Sequence, residues 1–226
     1  MAVIESGSGA SLASVGAVAA SGMHTINKPQ DYGSLGHYQF AGATGNIAAG
    51  AAANSEVFQF RWSDATRFAL ILKVSLVGMR TITAFAVGVI DLKMTRSTAW
   101  TVNGTGGTPL TLTDPQLQLR PPTMGPTLAG DIRIATTAAL GAGTKTLDTH
   151  DMGSITTHSS GGVGSATPII GSIYLPTYDF LGAGVADGEH PLVLSQNEGF
   201  SIRATVPATG VWNLGVLVKW AEVAAF

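Results

Sequence analysis

Four residues combine metal-ligating side chains at short spacing: Asp148, His150, Asp151 and His158. They lie in the segment 141–167, which is rich in Gly, Ser and Thr. A metal site needs several ligands that converge on one point, and this run supplies two or three of them. Polar side chains in such a segment are also typical of a loop that faces water. The weak ligand spacing favours the loop, and we expect no metal and no organic cofactor.

Candidate nucleophiles and carboxylate pairs are present by residue type only. No serine lies in the Gly-x-Ser-x-Gly turn that exposes a nucleophile. Acidic residues are too scattered to predict the paired carboxylates of a glycosidase. The residues considered are Ser154, Ser159, Ser160, Ser195, Asp131, Asp148 and Asp187. We therefore predict that the protein is not an enzyme.

Glycine and tryptophan offer two further possibilities. The glycine strings at 141–143 and 161–164 do not join a strand to a helix, so they do not predict a phosphate-binding loop. Tryptophans can stack on sugars, but three of the four lie in alternating strands, which favours core packing. The four are Trp62, Trp100, Trp212 and Trp220.

Composition narrows the functional classes. Of 226 residues, 45% are hydrophobic and only 12% are charged, with a net charge of −2, against roughly 25% charged residues in average soluble proteins. A surface with so few charges is explained if neighbouring molecules cover much of it, although Thr, Ser, Asn and Gln can also solvate a surface. No run of Lys or Arg predicts nucleic-acid binding. No cysteine is available for disulfides, and no apolar run reaches the ~20 residues that span a membrane.

Period-two alternation predicts the fold class. Phe58, Phe60 and Trp62 alternate with polar residues, and similar runs occupy 68–79, 85–94, 200–206 and 212–220. A helix over 65–78 is the alternative for one of these runs. The turn at 207–210 predicts an antiparallel hairpin between the last two, and a short strand is expected at 169–175. We predict an all-β protein, an antiparallel β-sandwich that is jelly-roll-like, with long loops and at most one polar hairpin over 141–167.

The chain divides into an N-terminal arm, residues 1–37, and a β-sandwich domain, residues 38–226. Residues 1–22 are almost entirely Ala, Gly, Ser and Val, so they bury little area against an ordering cost of ~1–2 kcal/mol per residue. Such a segment is either a disordered tail or an assembly arm that becomes ordered against a partner. The expected anchoring residues of the arm are Ile4, Met23, Ile26, Pro29 and Tyr32.

Several segments carry a resemblance to a known group of proteins. They are AANSEVFQFRWSDA at 52–65, the strand at 88–94 with the later VNGTGGTPLTLT, DIRIATTAALGAGTKTLD at 131–148, ITTHSSGGVGSATPIIGSIYLP at 155–176 and HPLVLSQNEGFSIRATVPATGVWNLGVLVKWAEV at 190–223. Together they resemble virion-associated structural proteins, similar to head cement or decoration proteins, of tailed bacteriophages. The resemblance supplies a context and no site residues.

That resemblance implies a capsid cement or decoration protein, made in the host bacterial cytoplasm and located in the virion. The implied partners are copies of the chain itself, as a trimer or higher oligomer, and the major capsid protein or other virion proteins. No direct contact with nucleic acid or membrane is expected. The alternative is a tail or fibre module that binds cell-surface carbohydrate through residues 141–167 and Trp100.

Overall fold

The computed structural model describes residues 4–5, 12–13, 36–48, 51, 53–119, 124–159, 177–182 and 190–224. Within these residues the chain forms β-strands and one 3₁₀ turn, Pro115–Leu117. The strands are β1 (Ile4–Glu5), β2 (Leu12–Ala13), β3 (Gly36–Ala43), β4 (Ser55–Trp62), β5 (Phe68–Thr83), β6 (Gly88–Val102), β7 (Thr108–Pro109), β8 (Ala129–Ile134), β9 (Thr144–Leu147), β10 (Gly153–Ser159), β11 (Tyr178–Gly182), β12 (Leu192–Leu194), β13 (Glu198–Thr205) and β14 (Val211–Val223).

The chain consists of two compact units, Met1–Gln30 and Asp31–Phe226. In the first, β1 and β2 pair antiparallel, with Ile4 opposite Ala13. In the second, β3 begins at Gly36, so this strand crosses the predicted boundary between arm and domain, which lies between residues 37 and 38. Of the expected arm anchors, Ile4 lies in β1, and its side chain is outside the described residues, as are Met23, Ile26, Pro29 and Tyr32.

The larger unit is an antiparallel β-sandwich, which confirms the predicted fold class. Among the described residues, one sheet has seven strands in the order β10-β6-β13-β4-β8-β7, with β9 also paired to β6. The other has five strands in the order β11-β5-β14-β3, with β12 also paired to β5. A jelly-roll connectivity, the narrower form of the prediction, stays a prediction.

The core lies between the two sheets and is rich in aromatic rings. The predicted inner face of β14 is confirmed, since its alternate residues Trp212, Leu214, Val216, Val218 and Trp220 are fully buried. The ring of Phe60 stacks on Phe200 with centroids 5.4 Å apart and meets the edge of Trp220 at 5.3 Å, which joins the two sheets. Burial of each large apolar side chain contributes ~1.5–3 kcal/mol, so this face anchors the sandwich.

The predicted C-terminal hairpin is wrong. β13 pairs with β4 and β6 in the seven-stranded sheet, whereas β14 pairs with β3 and β5 in the five-stranded sheet. Residues 206–210 therefore carry the chain from one sheet to the other. Gly210 has φ +112°, a conformation that side chains rarely adopt and that glycine permits. Both strands bury one face in the same core. Their apolar and polar residues therefore alternate as they would in a hairpin, although the strands do not pair.

Two other segments differ from expectation. The alternative helix at 65–78 is wrong, because Phe68–Thr83 forms a strand that pairs along its length with β14. Residues 141–159 are more ordered than a loop, since β9 and β10 both pair with β6 and not with each other as a hairpin. The strand expected at 169–175 falls outside the described residues. Over the part of the chain that is described, no helix is long and apolar enough to cross a membrane.

Candidate functional site

The outer face of the seven-stranded sheet carries a polar layer that the protein itself covers. Because Phe58, Phe60 and Phe200 point into the core, the side chains between them point outward, and these are polar but buried. One row across three strands places Gln59 opposite Ser201, and Ser201 opposite Thr95. The polar layer comprises the buried residues Glu56, Gln59, Thr95, Ser97, Asp131 and Ser201.

Arginine side chains pair with the two aspartates of the candidate metal cluster considered from the sequence. Asp148 accepts from Arg96 Nε at 2.8 Å. Asp151 accepts from Arg203 Nη2 at 2.7 Å and from the hydroxyl of Thr95. Although burial alone raises the pKa of Asp151, these hydrogen bonds hold that pKa below its ordinary value. The aspartates therefore act as ion-pair partners.

The structure does not bring those aspartates together with the histidines of the cluster. His150 and His158 are exposed. Nowhere in the described ranges do three His, Asp or Glu side chains lie close enough to hold a metal ion.

Some of the serines and carboxylates considered as catalysts also have structural partners. The hydroxyl and backbone N–H of Ser195 donate to Glu198 across a turn. Asp131 pairs with Arg133 at 3.1 Å. Ser154 lies exposed in β10, and Ser159 is buried at the end of that strand. Ser160 and Asp187 fall outside the described residues.

A buried cluster that sequence reasoning missed lies within the polar layer. Lys145 Nζ is 2.5 Å from Glu56 Oε2, and the two side chains are only 2% and 6% exposed. Gln59 Nε2 donates to the same oxygen at 2.5 Å. The ammonium lies over the ring of Trp100, 3.8 Å from its centroid, an arrangement that stabilises a cation. No local spacing indicates this cluster, because Lys145 and Glu56 are 89 positions apart.

Trp100 itself requires a correction. The alternative carbohydrate-binding function uses this tryptophan to contact the sugar, but its side chain is fully buried. Its indole N–H donates to the carbonyl of Val102 at 3.0 Å, and its own carbonyl accepts from Arg61 at 2.7 Å. Trp100 thus covers the polar layer and offers no ring face to a ligand.

The outer face of the five-stranded sheet is different, because small and apolar residues share it with a few charged ones. Leu217 lies opposite Ala41, and Gly215 lies opposite Ala43, with both alanines exposed. Val77 and Ile82 are each 46% exposed on or near the same face. On this face Lys73 of β5 lies directly opposite Lys219 of β14. We call this surface the open face.

The open face ends at a strand edge with unused backbone groups. The N–H of Thr44, just after β3, points toward β14 and donates to the carbonyl of Leu214 at 2.9 Å. The carbonyl of His37 points away from β14 and accepts from the N–H of Leu119 at 2.8 Å. Backbone groups alternate along a strand, so Gln39, Ala41 and Ala43 also point outward. Within the described residues, the outer side of β3 has a bridge only at Tyr38, which pairs with Gln118. That bridge is made through the residues that flank Tyr38 and so engages Gln39, and we call 40–43 the open edge.

A cleft of about 220 Å³ adjoins the open edge. Its lining is partly apolar and partly polar and comes from β3 and from the segment that crosses between the sheets: Gln39, Phe40, Ala41, Leu110, Thr111, Asp114, Gln116 and Leu117. Phe40 at its base stacks on the core ring of Phe58, with centroids 5.9 Å apart. The cleft is therefore held in shape by the core.

The opposite side of the sandwich is closed. Phe180 of β11 packs against Gly153 of β10, and the hydroxyl of Tyr178 donates to the carbonyl of Ser154 at 2.9 Å. On the cleft side, the seven-stranded sheet ends in the two-residue strand β7, which contains Pro109. A short edge strand with proline resists further pairing. Among these edges, β3 is the one left suited to add a strand.

Comparison of the chain with protein-family models, with curated proteins and with solved structures finds no match.

Proposed function

We propose that the protein is a non-enzymatic virion structural protein, a capsid cement or decoration protein that stabilises a shell through contacts between subunits. The observation that carries this proposal is the open edge of β3, which borders both the open face and the cleft. An unpaired strand edge is a template for strand addition by another chain. The resemblance of the sequence to virion proteins supports the shell as the setting.

The occupant that we propose for the open edge is the N-terminal segment of a second copy, residues 1–26. Its Ala, Gly and Ser side chains permit close approach of two backbones, and Glu5 is its one acidic residue. The apolar side chains Val3 and Ile4 suit a cleft bordered by Phe40, Leu110 and Leu117. The anchoring contacts are assigned to Ile4, Met23 and Ile26 of this segment and to Pro29 and Tyr32, which follow it in the arm.

Donation of an arm from each copy to the next is a head-to-tail contact. Such contacts close into rings when the rotation between copies permits, which is compatible with a trimer or a higher oligomer. The open face then remains for the major capsid protein or another virion protein. Its small and apolar side chains suit a broad, flat contact.

Sedimentation velocity of the full chain tests the proposal. Wild type should form oligomers whose proportion rises with concentration. Ala41→Pro removes one outward N–H without touching the core, so it should shift the distribution toward monomer at least tenfold in dissociation constant. Ala41→Ser, which keeps the N–H and the small size, is the matched control and should behave as wild type.

Monomeric wild type at all concentrations, or equal assembly of the proline variant, would contradict the proposal. Copy number distinguishes shell from fibre. Hundreds of copies per purified particle support the shell, and a handful would support the carbohydrate-binding alternative instead.

A further inference from the structure

The amine of Lys145 and the side-chain amide of Gln59 share one neighbour, the Oε2 atom of Glu56. Each nitrogen lies 2.5 Å from that oxygen. The amide is held in place by a second bond, from Gln59 Nε2 to the carbonyl of Gly141 at 3.1 Å. Amine, amide and carboxylate are therefore assembled in one small volume, with the carboxylate between the two nitrogens.

The surroundings of these three groups favour reaction over simple ion pairing. Burial lowers the pKa of Lys145, which increases the fraction of the neutral, nucleophilic amine. The ring of Trp100 covers the amine and keeps water from it, although the face of the ring also stabilises the ammonium form. Gly104 leaves space beside the amide, since a side-chain carbon there would collide with Gln59 Oε1. That oxygen is buried and accepts no hydrogen bond among the described residues, an arrangement that native structures rarely keep without a reason.

We propose that Lys145 and Gln59 form an intramolecular isopeptide bond, with Glu56 as the catalytic residue. Lys145 Nζ attacks Gln59 Cδ to give a tetrahedral intermediate. Glu56 accepts a proton from the attacking nitrogen and delivers it to Gln59 Nε2. The Cδ–Nε2 bond then breaks and ammonia leaves, while the Nζ–Cδ amide bond remains. No oxidation occurs and no co-reactant is needed.

The bond would tie two strands that are distant in sequence. Gln59 lies in β4 at the centre of the seven-stranded sheet, and Lys145 lies in β9 at its margin. A covalent link between them encloses the chain from residue 59 to residue 145. Closing so long a loop removes conformational freedom mainly from the unfolded chain and so stabilises the fold. A cysteine-free protein thereby gains the equivalent of a disulfide.

Intact mass spectrometry of the purified full chain, incubated at neutral pH, tests the inference. Loss of ammonia lowers the mass by about 17 Da, the difference for an acyl transfer that releases an amide nitrogen. Proteolytic digestion should then yield one branched peptide that joins the segments containing Gln59 and Lys145. Lys145→Arg keeps the cation, and Glu56→Gln keeps the shape, yet both should remain at the mass of their unlinked chains.

Lys93→Arg is the matched control, because Lys93 lies on the same sheet and pairs with Asp91 at 3.0 Å. That variant should link as wild type does. Circular dichroism should show Lys145→Arg to be folded, and its melting temperature should fall by several degrees relative to Lys93→Arg.

Wild type that keeps its full sequence mass would overturn the inference. So would linkage in Glu56→Gln. A loss of water in place of ammonia, with the branch mapped to Glu56, would overturn the assignment of Gln59.

Discussion

Gly199 lies directly against the ring of Trp100: a side-chain carbon at position 199 would be 2.8 Å from the Cε3 atom of the indole, and closer still to the carbonyl oxygen of Phe60. Contacts this short do not occur in folded proteins, so both the indole and the neighbouring backbone of β4 must shift if the position gains a methyl group. The indole ring that covers the polar layer therefore packs against β13 at a position without a side chain.

Gly199→Ala should therefore destabilise the fold by ~1–3 kcal/mol, the usual cost of overpacking, and alter tryptophan fluorescence. Gly125→Ala is the control, because nothing lies within 4 Å of a side-chain carbon there. Urea unfolding monitored by fluorescence measures both variants. Equal midpoints would show that the packing of Trp100 is looser than described.

Val216→Asp should destabilise the protein by roughly 3–5 kcal/mol, because it buries an unpaired carboxylate between the sheets. Val216 is fully buried on the inner face of β14. Asn213→Asp places the same charge at an outward position of that strand and should cost little. Thermal melting of the two variants compares them, and similar melting temperatures would contradict the assigned inner face.

Glu222 should make stability fall as pH rises above its ordinary pKa of 4.5. Burial raises the pKa of Glu222, although Thr127 Oγ1 and the N–H of Leu128 donate to it at 2.6 and 3.0 Å and partly oppose the shift. The folded state therefore binds this proton more tightly than the unfolded state, and stability is lost between 4.5 and the raised pKa.

Glu222→Gln keeps an oxygen for both donors and cannot ionise. The free energy of unfolding of wild type, minus that of the variant, should decline from pH 4.5 upward and then level off. Urea titrations at several pH values measure this difference. A difference that stays constant with pH would contradict the raised pKa.

Removal of divalent metals should leave the melting temperature unchanged. Asp148 and Asp151, the acids of the predicted cluster, already pair with Arg96 and Arg203. Differential scanning calorimetry with and without EDTA measures the effect. A fall of many degrees that zinc or calcium restores would refute the prediction.

Deletion of residues 1–26 should leave a folded domain that no longer assembles. Every strand of the two sandwich sheets lies between Gly36 and Val223, so the core loses none of its strands. Circular dichroism should match that of the full chain, whereas sedimentation should show monomer. Protease should cleave the segment in free protein and spare it in particles. If the truncated chain binds particles as well as the full chain does, the arm is only a tail with no role in assembly.

The sequence by itself determined the all-β fold class and the buried face of the most regular strand. In β14, alternation from Trp212 to Trp220 predicted five buried residues, and all five are buried. This information is local, because a period of two places alternate side chains on one side of a strand wherever its neighbours are.

Only the tertiary structure decided which strands pair and which polar side chains meet. β13 and β14 alternate as a hairpin would, yet they belong to opposite sheets. Lys145 meets Glu56 because β9 and β4 are brought into one sheet by strands between them. The periodicity of a strand shows that one face is buried but does not show which strand it pairs with. The pairing strand is fixed by contacts between residues far apart in the chain.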